Sequence, residues 1–130
     1  MSTSTVQAWW LALRPKTLVI AAAVVAVGTA VAEHTGEVRA APALAALAGA
    51  MLLQIASNFA NDLFDFRKGA DTPDRLGPTR AVAAGLMSER QMTAGLALTL
   101  AAALGVGVYL TLLAGWTILG IGIAGMISAV

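Results

Sequence analysis

The sequence contains no cysteine and few charged residues, which make up only 12% of its 130 positions. The absence of cysteine excludes disulfide bonds, thiolate metal sites and a cysteine nucleophile. A soluble domain is about half apolar and about a quarter charged, whereas 58% of this chain is hydrophobic. A chain with so little polar surface cannot cover itself in water. A helical membrane protein is therefore the expected class.

A signal peptide is also missing. Arg14 and Lys16 follow the first apolar patch instead of preceding it, and no cleavage signature is present. We therefore expect the first membrane helix to remain in the mature protein.

The apolar runs predict a single all-α domain over residues 1–130, a polytopic transmembrane helical bundle with about four spans. A short interfacial helix is expected over residues 6–13, because its tryptophan pair suits the headgroup level of a bilayer. Pro15 fits the first turn of the next helix. The predicted spans are residues 15–32, 40–64, 91–113 and 117–130. An Asp-rich loop covers about 62–90 and is expected to contain a small helix at 81–87.

The fourth predicted span is short. Crossing a bilayer takes about 20 residues, and no basic residue closes this segment. We therefore expect the sequence to be the N-terminal part of a longer chain. Glycines recur in the last two spans, and small residues let membrane helices approach closely. Helix packing is the predicted role of Gly105, Gly107, Gly115, Gly120, Gly122 and Gly125.

The basic residues predict the orientation. In this topology only Arg39 lies on one side of the membrane, and under the positive-inside rule the other side is cytoplasmic. We therefore expect a multi-pass protein of the cell (inner) membrane, with its N-terminus and Asp-rich loop in the cytoplasm. The basic residues on that side are Arg14, Lys16, Arg67, Lys68, Arg75, Arg80 and Arg90.

Polar residues concentrate at the end of the second predicted span, and four of the seven acidic residues lie between Asp62 and Asp74. At about 100° per residue, one helical arc carries Gln54, Asn58, Asn61, Asp62 and Asp65. Two carboxylates three positions apart repel each other unless a cation lies between them. Mg²⁺ typically joins one or two carboxylates to substrate phosphates. The pattern predicts a magnesium-dependent site for a phosphorylated substrate.

Further polar groups surround this predicted site. Asn58 and Asn61 can add amide oxygens or donors. Gly69 is expected to end the helix, so that a loop brings Lys68, Asp71, Asp74, Arg75 and Arg80 to the mouth of the site. Arginine forks fit phosphate oxygens in bidentate geometry. Two alternatives stay open: a solvated helix end with ion pairs, and a transporter site for sodium or protons.

The stretch NFANDLFDFRKGADTPDRLGPTR resembles the first Asp-rich motif of the UbiA-type intramembrane prenyltransferases. A glycine stands where the wider family has its last aspartate. The pattern NDxxDxxxGxD followed by DRxGPxR is similar to the branch that prenylates 1,4-dihydroxy-2-naphthoate in menaquinone synthesis. The matching residues are Asn61, Asp62, Asp65, Gly69, Asp71, Asp74, Arg75, Gly77, Pro78 and Arg80, and the sequence Arg14–Leu18 is also similar.

The resemblance implies a nine-helix fold with a second Asp-rich motif that this sequence lacks. It implies Mg²⁺-dependent transfer of a polyprenyl group from polyprenyl diphosphate to an aromatic acceptor at a lipid bilayer. Asp62 and Asp65 would be catalytic, and the metal ligands would be Asp62, Asp65, Asn61 and Asp71. Diphosphate binding is assigned to Asn58, Asn61, Lys68, Arg75, Arg80 and Arg14.

Other acceptors such as hydroxybenzoate remain open, as does a non-enzymatic membrane or transport protein. No nucleic-acid partner is expected, and the sequence does not determine the oligomeric state.

Overall fold

A computed structural model describes residues 4–36, 38–72, 74 and 76–130 of the chain. Within these ranges the secondary structure is entirely helical, which confirms the all-α prediction. The helices are α1 (Thr5–Leu13), α2 (Pro15–Thr35), α3 (Ala40–Arg67), α4 (Glu89–Ala114) and α5 (Trp116–Ala129). Three of them, α2, α3 and α4, are long and apolar enough to cross a membrane, whereas α5 is a shorter apolar helix.

Local signals set the helix ends. Ser4 and Ser88 each form a capping box with the glutamine three residues later, which starts α1 and α4. Pro15 occupies the first turn of α2. After α3, the N–H of Ala70 donates to the carbonyl of Asp65 while Gly69 adopts a φ of +66°. This is a Schellman ending, so the prediction that Gly69 terminates the helix is confirmed.

The prediction of a small helix over residues 81–87 is wrong. The segment instead forms a single helical turn, in which the N–H of Ala84 donates to the carbonyl of Arg80 over 2.9 Å. Gly85, with a φ of +68°, closes this turn, and the N–H of Leu86 returns to the carbonyl of Ala81 over 2.9 Å. The left-handed glycine reverses the chain before a second turn can form.

The third helix lies at the centre of the bundle, since α3 packs against each of the other four helices. The core is concentrated at one end, around the last part of α3 from Ala56 to Leu63. Part of the loop belongs to this core: Ala81, Val82 and Met87 are all buried. By contrast, no described residue of α2 or α5 is buried.

Helix α1 contributes Ala8 and Ala12 to this core. The Trp9 ring packs edge-on against Phe59 with 5.6 Å between ring centroids, while Trp10 is exposed. A Cβ atom placed on Gly95 would lie only 2.6 Å from the Trp9 ring, so α4 needs glycine there to receive the indole. Trp9 thus packs inside the chain, and the predicted position of the tryptophan pair at the headgroup level stays a prediction.

The packing role predicted for the glycines of α4 and α5 holds for one of them. A Cβ atom on Gly125 would lie 3.1 Å from Leu53, so α3 and α5 approach closely there. Gly115 instead makes the turn between α4 and α5, with a φ of +88°. For the others the role stays a prediction, because among the described residues a Cβ atom would meet nothing within 4 Å: Gly105, Gly107, Gly120 and Gly122.

Candidate functional site

Asp62 lies on the inner face of α3 and is only 1% exposed. Its carboxylate receives two backbone hydrogen bonds from the loop, one from the N–H of Ala81 at 2.9 Å and one from that of Val82 at 3.1 Å. These N–H groups open the helical turn at residues 80–84, where a helix leaves its first donors without intrahelical partners. Asp62 therefore caps this turn from a distant part of the chain, as an N-cap residue caps its own helix.

Arg80 lies between two carboxylates. One of its terminal nitrogens, Nη2, forms a short ion pair with Asp65 Oδ2, and Nε lies 3.5 Å from Asp71 Oδ1. The Arg80 and Asp71 side chains are only 7% and 6% exposed, whereas that of Asp65 is 34% exposed. A largely buried guanidinium thus balances two acidic groups from different elements, with Asp65 open on its solvent side.

Asn58 joins α3 to the junction between α1 and α2. Its amide nitrogen donates to the carbonyl of Leu13 and to the hydroxyl of Thr17, both over 2.9 Å. Its amide oxygen accepts a hydrogen bond from Gln54 Nε2 at 3.4 Å. At this junction Arg14 adopts a left-handed conformation with a φ of +51°. Asn58 is buried and committed to holding these helices together.

Asn61 lies at the other edge of the predicted polar arc of α3 and is exposed. The single arc predicted for the polar residues therefore separates into a buried edge, with Asn58 and Asp62, and an open edge, with Asn61 and Asp65. Asn61 and Asp65 are four residues apart, so they are neighbours on the helix surface.

The remaining predicted residues lie around the end of α3. Lys68 and Asp74 are exposed, and Arg14 is half-buried at the start of α2. Arg75 lies outside the described residues, so its predicted role in diphosphate binding stays a prediction. The structure thus brings Asp62, Asp65, Asp71 and Arg80 together and leaves Asn58 in a separate hydrogen-bond network.

A cavity of about 340 Å³ opens beside Arg80 in the loop between α3 and α4. Its walls include Asp71, Gly77, Thr79 and Arg80, so polar and charged groups line much of it. A separate apolar groove of about 260 Å³ runs between α3, α4 and α5 and is lined by residues such as Leu53, Val106 and Met126. The chain therefore has a polar compartment in the loop and an oily one between its helices.

The oxygen ligands suit Mg²⁺ only in part. Among the described residues no group of three acidic or histidine side chains is arranged to hold a metal. Asp62 directs both carboxylate oxygens to backbone N–H groups, whereas Asn61 and Asp65 present oxygens at a more open surface. Mg²⁺ is often held by one or two carboxylates together with substrate phosphates. Asn61 and Asp65 fit that incomplete kind of site.

Several residues of the site were not anticipated from sequence. Thr17 both accepts from Asn58 and donates to the carbonyl of Arg14 over 2.9 Å. Glu89 pairs with Arg67 at 2.7 Å and joins the two ends of the loop. No local pattern points to such contacts, because they depend on the packing of segments far apart in the chain. The only local signal was the polar character of residues in an otherwise apolar sequence.

The family model described as "UbiA prenyltransferase family" matches residues 18–130, which is most of the chain and includes the whole Asp62–Asp65–Arg80 site. The chain belongs to the UbiA prenyltransferase family. It is thus a member of an enzyme family, and its helices of membrane-spanning length suit that assignment.

Three relatives share one name, 1,4-dihydroxy-2-naphthoate octaprenyltransferase. The protein of Escherichia coli is 48% identical over 96 residues, covering 74% of this chain and 31% of the relative. That of Mycobacterium tuberculosis is 39% identical over 111 residues, covering 85% and 38%, respectively. That of Bacillus subtilis is 30% identical over 120 residues, covering 92% and 39%. The chain thus spans about a third of the length of these relatives. No solved structure matches it.

Proposed function

We propose that this chain supplies a diphosphate-binding site to a membrane enzyme that transfers a polyprenyl group to 1,4-dihydroxy-2-naphthoate, a step of menaquinone biosynthesis. Family membership and the shared name of the three relatives support the reaction class and the acceptor. The observation that carries the proposal is the cluster of Arg80 with Asp65 and Asp71 at one end of an apolar bundle. A charged cluster at the end of an apolar bundle suits a substrate with a diphosphate group and an apolar isoprenoid tail.

Arg80 is the main candidate for contact with the diphosphate. Its Nη1 atom is buried and has no hydrogen-bond partner among the described residues, although the rest of the guanidinium faces two carboxylates. A guanidinium is a planar fork that binds phosphate oxygens in pairs. The polar cavity beside it provides room for such a group. Lys68, exposed after the end of α3, adds a second positive charge near the mouth.

We further propose that Mg²⁺ binds at the open edge of α3, with Asn61 and Asp65 as its protein ligands. The ion would neutralise negative charge on the departing diphosphate, as metal ions do in related transfer chemistry. Asp65 would then have two duties, since it also holds Arg80 in place.

In the proposed reaction, the bond between the allylic carbon and the diphosphate oxygen breaks and its electron pair leaves with the diphosphate. Arg80 and Lys68 stabilise the negative charge that develops there, which is the electrostatic contribution that usually dominates such catalysis. The ring carbon of the acceptor that bears the carboxylate then attacks the allylic cation. The bond from this carbon to the carboxylate breaks, its electron pair restores the aromatic ring, and carbon dioxide leaves. The apolar groove between α3, α4 and α5 accommodates part of the isoprenoid tail.

The proposed location is the cytoplasmic face of the cell (inner) membrane. Arg67, Lys68 and Arg80 lie around the loop that follows α3, while Arg39 precedes the same helix at its other end. The positive-inside rule then directs the Asp-rich loop to the cytoplasm, where soluble aromatic substrates are available.

A chimera tests this proposal. The 130-residue chain replaces the matching segment of the Escherichia coli relative, and membranes receive Mg²⁺, labelled octaprenyl diphosphate and dihydroxynaphthoate. We expect prenylated product, and a loss of roughly 100-fold or more with Asp65→Ala, because both the Arg80 contact and the open carboxylate disappear.

The control is Glu33→Ala, which removes an exposed carboxylate near the end of α2, far along the chain from the Asp-rich loop. It should leave product formation within about twofold of the unmodified chimera, as expected of an exposed residue. A chimera that inserts into membranes at normal levels but makes no product would refute the proposal, as would equal activity with Asp65→Ala.

A further inference from the structure

We propose that Asp62 is a positioning residue that holds Arg80 in the site and does not bind the metal. The inference rests on the proposed function for its consequences in catalysis, but the contacts that carry it do not. It separates two carboxylates that the sequence motif presents as a pair. Asp65 faces the open side of the site, whereas Asp62 faces the backbone of the loop.

The Asp62 carboxylate is buried near the end of α3. With an exposure of 1%, this carboxylate needs compensation for the loss of water, and the N–H groups of Ala81 and Val82 supply it. Hydrogen bonds to an ionised acceptor are about twice as strong as neutral ones. Each oxygen accepts from a backbone N–H group of the loop, and a carboxylate that is 1% exposed leaves little room for Mg²⁺, which usually keeps several of its waters.

Arg80 lies directly before the two residues that Asp62 anchors. Arg80 directly precedes Ala81, and its carbonyl accepts the N–H of Ala84 within the same turn. The backbone from which the guanidinium extends is therefore fixed by Asp62. One helical turn further along α3, Asp65 binds the guanidinium itself. Two carboxylates of one helix thus hold the same residue, one through its neighbouring backbone and one through its side chain.

The anchored turn lies in apolar surroundings. Ala81 is 0% exposed and Val82 5%, and both belong to the apolar core together with Leu63 and Met87. Buried N–H groups without hydrogen-bond partners destabilise a fold, because they lose their bonds to water without replacement. Without Asp62 the turn would have to move to recover its hydrogen bonds, and Arg80 would move with it.

Amide hydrogen exchange tests the anchor on the unmodified 130-residue chain in lipid nanodiscs. The amides of Ala81 and Val82 should exchange at least 100-fold more slowly than that of Ala83, which is exposed in the same turn. Asp62→Asn should accelerate the first two amides at least tenfold, since a neutral amide offers only one weaker acceptor. Asp65→Asn, one helical turn away, should change them by less than threefold. Similar rates at all three amides in the unmodified chain would overturn the proposal, whether or not the variants fold.

Steady-state kinetics of the chimera test the division of roles. Asp62→Asn should raise the KM for octaprenyl diphosphate at least tenfold through displacement of Arg80, while the Mg²⁺ concentration for half-maximal rate stays within twofold. Asp65→Asn should raise that Mg²⁺ concentration at least tenfold. A comparable rise with Asp62→Asn would show that Asp62 is a metal ligand and would overturn the inference. An inactive chimera would refute the proposed function alone, because the exchange measurements decide the anchor independently.

Discussion

The two halves of the bundle differ sharply in how much of their surface this chain covers. Around the end of α3, the loop turn and α1 form a core with Phe59, Leu63 and Met92, all nearly inaccessible. By contrast, α2 and α5 have no buried residue, and most of their large apolar side chains are exposed. The chain therefore organises its polar end by contacts of its own, whereas the opposite half offers oily surface to lipid or to other helices.

This difference shows where hydrogen bonds replace the hydrophobic effect. Between apolar helices in lipid, burial of apolar surface provides little driving force, and packing and polar contacts hold helices together. The ordered end has such contacts: Asn58 to Leu13, Asp62 to Ala81, and Arg80 to Asp65. If this account is correct, removing a buried contact at the ordered end should be costly, and changing an exposed residue should not.

The largest of the three effects on stability should come from Asn58, the buried one of two asparagines that lie close together on α3. Asn58→Ala removes two hydrogen bonds of 2.9 Å and strands the carbonyl of Leu13, so we expect a loss of about 2–3 kcal/mol in unfolding free energy. Asn61→Ala, an exposed amide on the same helix, should cost less than about 0.5 kcal/mol.

Denaturant unfolding of the chain in detergent micelles measures both asparagine variants. The order should reverse for function. In the chimera, Asn61→Ala should raise the Mg²⁺ concentration for half-maximal rate more than Asn58→Ala does. Equal losses of stability for the two variants would contradict the division into a buried and an open edge.

An intermediate effect is expected where α1 packs against α4. Gly95→Ala would place a methyl group 2.6 Å from the Trp9 ring, and relieving this overlap should cost about 1–2 kcal/mol. Gly105→Ala is the matched control on the same helix, where a Cβ atom meets nothing within 4 Å and helix propensity favours alanine.

Thermal unfolding should therefore separate the two glycine variants in opposite directions. In a Trp10→Phe, Trp116→Phe background, Trp9 emission should shift to longer wavelength with Gly95→Ala and stay unchanged with Gly105→Ala. An unaltered Trp9 spectrum in the Gly95 variant would mean that α1 does not depend on this contact.

The smallest effect should come from the ion pair of Arg67 with Glu89, whose side chains are 47% and 44% exposed. Exposed pairs contribute about 0–1 kcal/mol and weaken with salt. Glu89→Gln should lower the free energy of unfolding by no more than about 0.5 kcal/mol, and the difference should vanish in 1 M salt. A salt-independent loss above 1 kcal/mol would show that closing the loop here matters more than its exposure suggests.

Much of the fold follows from the sequence. The apolar runs predict α2, α3, α4 and α5 to within about three residues, because the length and composition of an apolar run are enough to identify a membrane helix. The turn at residues 81–84 was mistaken for a helix, since Gly85 ends it after one turn. The contacts of Trp9 with Phe59 and Gly95 could not be predicted, because they depend on the packing of segments far apart in the chain.

The candidate site was predictable in composition but not in arrangement. Residues of mixed charge in an apolar chain indicated Asp62, Asp65, Asp71 and Arg80, and the structure brings these four together. Their separate contacts depend on which face of α3 the loop covers. A 100° arc is too coarse to distinguish Asn58 from Asn61, although one is buried and the other exposed.

The hydrogen bonds from the backbone of residues 81 and 82 to Asp62 also restrict where the loop between α3 and α4 can vary in length. This connection spans residues 68–88, and long connections are usually either functional or loosely ordered. The anchor divides it into a longer part before Arg80 and a short one after it, so closing the first part is separate from placing α4. Because the entropy of closing a loop grows only slowly with its length, residues added to the first part would cost little. One residue inserted between Arg80 and Ala81 would instead shift the guanidinium relative to Asp65, so relatives should differ in loop length before the arginine and not between it and the two anchored residues.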